Sequence, residues 1–141
     1  MDRYLLDTDI CIFYLKGRFG LHKKIKEVGI ENCFVSEITI AELTFGAYKS
    51  ARKETHLQDV KNIAVLFEIV PIYGSITRFA QEKVRLHGIG TPIPDFDLLI
   101  SSTAVANDMI LVTNNIKHMA TIENIKIENW TLAEDNSYAK E

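Results

Sequence analysis

The sequence predicts a three-layer α/β sandwich around a central, mainly parallel sheet of about five strands. Two observations carry this. Five short apolar runs, each brief and rich in Val, Ile, Leu or aromatics, alternate with longer stretches of helical periodicity. No repeat, low-complexity tract or linker divides the 141 residues. Strands separated by helices pair in parallel, and a parallel sheet needs helices on both faces.

The strand candidates are Tyr4–Leu6, Cys33–Val35, Glu68–Ile72, Met109–Val112 and Ile125–Glu128. After the first, Ile10, Phe13 and Tyr14 form an apolar stripe on a helix that Gly17 ends. Thr39 with Glu42 fits a capping box for a helix running to about Ala51. Thr55 opens another, with Leu57, Val60, Ile63, Ala64 and Phe67 at helical spacing. Ser75 begins a fourth, carrying Phe79, Val84 and Leu86, with Gly88 as its C′ residue. Pro94 and Asp95 precede a long apolar helix from Phe96 to about Ala106. The chain reads as one domain over residues 1–132, followed by an acidic, flexible tail over 133–141.

With 47% apolar and 25% charged residues, the composition is that of a globular protein. No uncharged stretch approaches the roughly 20 residues of a membrane span, and Asp7 and Asp9 interrupt the first apolar run, unlike a secretion signal. Cys11 and Cys33 sit in apolar segments and read as reduced core thiols, so the expected compartment is the cytoplasm. A net charge of −3 argues against a general nucleic-acid binder, but it hides an asymmetry. Between Lys16 and Lys53 eight basic residues face four acidic ones, whereas Glu123 to Glu141 holds two basic and five acidic. The basic stretch, Lys49 and Arg52 included, could hold phosphates or simply be solvated helix faces.

Ligands of a parallel α/β sheet collect at the carboxyl ends of its strands, near a topological switch point. Asp7 follows the first strand, Glu42 lies one turn into the helix after the second, Asp97 opens the long helix, and Thr113–Asn114–Asn115 follow the fourth strand. Carboxylates gathered there repel one another unless a cation neutralises them, and hard oxygen ligands around an open site suit Mg²⁺, with Mn²⁺ as a substitute. Mg²⁺ favours phosphate-bearing partners, which points to phosphodiester hydrolysis with no histidine base. Ordinary structural uses compete with this. Glu42 could serve only the capping box, Asp95 an N-cap with Asp97 favouring the helix dipole, and Asp7 and Asp9 the start of the first helix.

The segments LLDTDICIFYLKG, SEITIAELTFGAYKS, GTPIPDFDLLISSTA and ILVTNNIKHM, followed by IENW, resemble the ordered blocks of the PIN-domain VapC toxins from about residue 3 to 130. The resemblance implies a metal-dependent endoribonuclease acting on structured RNA such as transfer RNA, usually a homodimer, with a cognate antitoxin whose tail lies across the active site. Matched to the family's acids are Asp7, Glu42 and Asp97, as catalytic and metal-holding residues. Asp95, Thr113, Asn115 and Asp9 are supporting, and Lys49 or Arg52 would contact RNA. Asn115 departs from the broader pattern of a fourth acid, which weakens any second metal. Cleavage is expected to leave a 5′-phosphate and a 3′-hydroxyl.

YLLDTDIC and ILVTN also resemble the first two motifs of haloacid-dehalogenase-type phosphatases, but no later strand ends in the paired acids that family needs. A receiver domain would need an Asp after the third strand, where Tyr73–Gly74 stands. A non-catalytic member of the same fold would be expected to lack at least one of Asp7, Glu42 and Asp97, and all three are present.

Overall fold

The computed structural model describes residues 1–132, so the acidic tail expected at 133–141 lies outside the described residues. Five strands, β1 (Tyr4–Leu6), β2 (Cys33–Ser36), β3 (Glu68–Val70), β4 (Ile110–Val112) and β5 (Ile127–Glu128), form one sheet in the order β3-β2-β1-β4-β5. Every neighbouring pair is parallel, with Leu5 opposite both Phe34 and Leu111. Among the described residues seven α-helices accompany them: α1 (Thr8–Leu15), α2 (Leu21–Val28), α3 (Glu37–Lys49), α4 (Lys53–Leu66), α5 (Ile76–Gly88), α6 (Asp95–Ala106) and α7 (Ile116–Met119).

Strand alternation builds two cores from one sheet. Leu5, Phe34 and Leu111 point to one face and pack with Leu86 of α5 and Leu98, Ile100 and Ala104 of α6. Leu6, Val35 and Val112, the next residue in each strand, point the other way onto Ile10 and Cys11 of α1, Leu21 and Ile25 of α2, Ile63 of α4, and Trp130. The expected sandwich is thus observed, and both cysteines are buried free thiols. Among the described residues no helix is long and apolar enough to cross a membrane.

All five strands fall where expected, most trimmed or extended by one or two residues. The helix ends differ more. α3 starts at Glu37, and Ser36, not Thr39, caps it, with the Ser36 hydroxyl oxygen accepting from the Ile38 amide at 3.0 Å. The Thr39–Glu42 capping box therefore does not form, because both residues lie inside the helix. α5 runs through Gly88, and the left-handed residue that closes it is Gly90 (φ 76°). There Gly90 N–H donates to His87 O and Thr91 N–H to Leu86 O, the paired bonds of a Schellman motif. The same motif ends α1 at Gly17, as expected. The basic segment after Gly20 is helix α2, whose apolar residues Leu21 and Ile25 are spaced one turn apart and buried. Val28 continues the i, i+4, i+7 spacing at the helix end, a stripe that the run of lysines between these residues masks in the sequence.

Candidate active site

The strand order places β1 at the centre, with the chain moving outward through β2 and β3 and then returning through β4 and β5 on the other side. The switch point is therefore between β1 and β4, where a crevice opens beyond the strand ends. Asp7 and Thr113 are the first residues past those two ends. Asp7 N–H donates to Val112 O at 2.9 Å, continuing the ladder into the site.

Asp7 is 6% exposed. Its Oδ2 accepts from the Thr113 hydroxyl at 2.8 Å and its Oδ1 from the Thr8 amide at 2.8 Å, so it also occupies the N-cap position of α1. Thr113 in turn accepts from the Asn115 amide at 3.0 Å, which fixes the hydroxyl as a donor towards Asp7. Asp9 is half-buried, accepting from its neighbour Ile10 N–H at 2.7 Å and from Asn114 N–H at 3.1 Å. The polar run after β4 thus grips both acids of the first segment.

Electrostatics join a third acid to these two. Burial pushes the Asp7 carboxyl up to about 7, helped by the charges of Asp9 and Asp97 and opposed by the bonds from Thr113 and Thr8. Burial also raises Asp9, with Asp97 adding to the effect against its backbone hydrogen bonds. Asp97, in the first turn of α6, is raised by burial and lowered by His118, whose Nε2 lies 3.9 Å from its Oδ2. Glu42 stands at one side, linked through Thr8, whose hydroxyl donates to Glu42 Oε1 at 2.6 Å and lies 3.0 Å from the hydroxyl of buried Thr39.

Asp7, Asp9, Asp97 and Thr113 are therefore brought together, with Asn115 joined through its backbone N–H and Glu42 through one hydrogen bond to Thr8. Asp95, expected as a supporting residue, is exposed and pairs with Lys83 Nζ at 2.9 Å; nor does it serve the alternative role of N-cap, a position that Pro94 holds. Lys49 sits 5.5 Å from the Phe45 ring, whereas Arg52 lines a groove that also reaches Glu42. Two residues were not singled out from the sequence. Thr8, between the two aspartates of DTD, bridges α1 to Glu42, and His118 faces Asp97. Position between two acids was the only signal for the first.

The donor set is suited to a hard divalent cation: several carboxylate oxygens, one of them buried, with no Lys or Arg ion-paired to Asp7, Asp9, Asp97 or Glu42 among the described residues. Among the described residues no three His, Cys, Asp or Glu side chains are close enough to enclose an ion by themselves. Water and substrate oxygens would complete the coordination, as Mg²⁺ commonly requires.

Fold and site together define a class, a parallel α/β domain with an acidic cleft at its switch point. Its sequence matches the PIN domain over residues 4–123. It is 34% identical over 130 residues to ribonuclease VapC2 of Rickettsia felis, covering 90% of this chain and 97% of that protein. It is 29% identical to the tRNA(fMet)-specific endonuclease VapC of Salmonella typhimurium, covering 92% and 99%. The crystal structure of DNA-bound VapBC from Salmonella typhimurium has a similar fold, with a TM-score of 0.86 at 29% identity over 92% of this chain and 99% of that one. The chain belongs to the PIN-domain family and, within it, to the VapC ribonucleases. The resemblance read from the four sequence blocks is thereby established as family membership.

Proposed function

We propose that this protein is a divalent-metal-dependent endoribonuclease, the toxin of a toxin–antitoxin pair, that hydrolyses phosphodiester bonds in transfer RNA or another structured RNA. The observation that carries the reading is the buried Asp7 carboxyl, raised to about 7 beside Asp9 and Asp97 at the β1–β4 switch point. A purely structural cap has no need of three mutually repelling acids.

Asp7, Asp97 and Glu42 would hold Mg²⁺, or Mn²⁺ in its place, directly or through water. Bound there, the ion supplies a Lewis acid that lowers the pKa of water and offsets charge on the phosphoryl oxygens. Thr113 orients Asp7, Thr8 orients Glu42, and the amide of Asn114 holds Asp9. The fixed hydrogen bonds preorganise the acids, so little rearrangement accompanies binding.

The Glu42 side of the site continues into a groove of about 520 Å³ between α1, α3 and α4, with Ile12, Leu43, Gly46 and Val60 among its lining. Its walls are mainly apolar, with Lys16, Arg52 and His56 also in the lining; such walls suit a protein segment, and the VapBC relatives support assigning the groove to a cognate antitoxin. A homodimer and a cytoplasmic location complete the proposal.

The test is cleavage of purified transfer RNA with Mg²⁺, Mn²⁺ or EDTA, by the wild type and by Asp97→Asn. The expected result is discrete fragments ending in 5′-phosphate and 3′-hydroxyl that vanish with EDTA and with the variant. Cleavage at an unchanged rate in EDTA would rule out the metal role.

A further inference from the structure

A second pocket, of about 350 Å³, shares no lining residue with the Glu42 groove and is lined by Thr91, Pro92, Ile93, Asn115, Lys117, His118 and Thr121. It adjoins the acids at two points. Asn115 belongs to the run that holds Asp7 in place, and His118 lies 3.9 Å from Asp97. Its size is within the range of small-ligand sites.

The two sides of the active site differ in chemistry. Four polar side chains, Thr91, Asn115, His118 and Thr121, line this pocket beside Lys117, and Pro92 and Ile93 provide a limited apolar wall. Lys117 is exposed and has no ion pair or hydrogen bond among the described residues. Nearby cations are already engaged: Lys83 with Asp95, and Arg85 with Glu82 and the Thr121 carbonyl. A cation left uncompensated next to an acidic cleft invites an anion that the cleft itself repels.

The wall is also rigid. Gly90 and Thr91 are fixed by the Schellman bonds closing α5, and Pro92 and Pro94 restrict the backbone that follows. On the opposite side, Lys117 and His118 belong to α7, whose end is tied by Ala120 N–H donating to Ile116 O. A preformed pocket loses little freedom on binding.

We infer that this pocket seats the nucleotide flanking the scissile phosphodiester, with Lys117 on an adjacent phosphate and the base against Pro92, Ile93 and the His118 ring. This rests on the ribonuclease reading for the identity of the ligand as RNA. It makes Lys117 a substrate-positioning residue and leaves the Glu42-side groove to the protein partner. Phosphate contacts set register on a nucleic acid, so Lys117 would fix which bond faces the acids.

The test measures binding and cleavage separately. Fluorescence anisotropy of labelled transfer RNA in EDTA compares wild type, Lys117→Ala, Lys117→Arg and the control Lys61→Ala, an exposed residue of α4 outside the basic stretch, with melting temperatures confirming that each is folded. Lys117→Ala is expected to bind about tenfold more weakly, with a salt slope reduced by about 1, whereas Lys117→Arg retains most of the affinity. In Mg²⁺, KM should rise with kcat little changed. Equal affinity and salt slope for wild type and Lys117→Ala would overturn the assignment, as would a loss shared equally by Lys61→Ala. Weakened binding without cleavage by any form would leave the pocket standing and remove the nuclease reading.

Discussion

Asp7→Asn is expected to make the metal-free protein more stable relative to wild type as the pH rises. Burial raises the Asp7 carboxyl from 3.8 to about 7, so the folded state holds this proton more tightly than the unfolded chain does. For this one group, stability is greatest below about pH 4 and is lost as the pH climbs through about 7. At 1.36 kcal/mol per unit, the complete loss is about 4 kcal/mol, and about 2–3 kcal/mol of it falls between roughly pH 5 and pH 8. Asparagine cannot ionise and caps a helix as well as aspartate does. It does mismatch the Thr113 hydroxyl, which donates to Oδ2 in the wild type. That cost does not depend on pH, so it cancels when the variant-minus-wild-type difference is compared at two pH values. The assay is thermal unfolding by circular dichroism in EDTA near pH 5 and pH 8. The difference in Tm should grow by roughly 8 °C at the higher pH for a chain of this size. A difference that stays constant would refute the view that Asp7 is a strained, buried charge awaiting a cation. Added Mg²⁺ at the higher pH should narrow the gap by stabilising the wild type alone.

Thr8→Val removes the hydroxyl that donates to Glu42. Cleavage of transfer RNA should fall about tenfold, as expected when one positioning hydrogen bond is lost, with Tm little changed. Equal rates for Thr8→Val and wild type would show that Glu42 needs no such support. Gly90→Ala meets no heavy atom within 4 Å, but it forces a side chain to φ 76°. Chemical denaturation should show a loss of about 1 kcal/mol, because the cost is conformational and not steric. A neutral result would mean that the turn after α5 shifts freely, which would also weaken the case for a preformed Lys117 pocket.

Gly17 was legible as a helix end because a left-handed residue is chemically rare and glycine supplies it. Gly88 was misread for Gly90 because two glycines stand two residues apart and only packing of the helix end decides between them. Similarly, Ser36, Thr39 and Glu42 offer two plausible starts for α3. The strand register that buries Ser36 at the end of β2 selects the first.

The alternation of brief apolar runs with helical stripes determined by itself that this chain folds as a parallel α/β sandwich, since each pattern can bury its apolar residues in one way only. It also put the acids at strand ends and helix starts. Which acids share one field was decided by tertiary structure alone, through the strand order that sets β4 beside β1. That adjacency brings Thr113 to Asp7 across 106 positions of sequence and Asn114 to Asp9 across 105. It also separates a polar pocket at Lys117 from an apolar groove at Glu42. Side-chain identity fixes what a residue can donate or accept, but the strength of a charge–charge coupling depends on distance and burial, and only the folded chain supplies those.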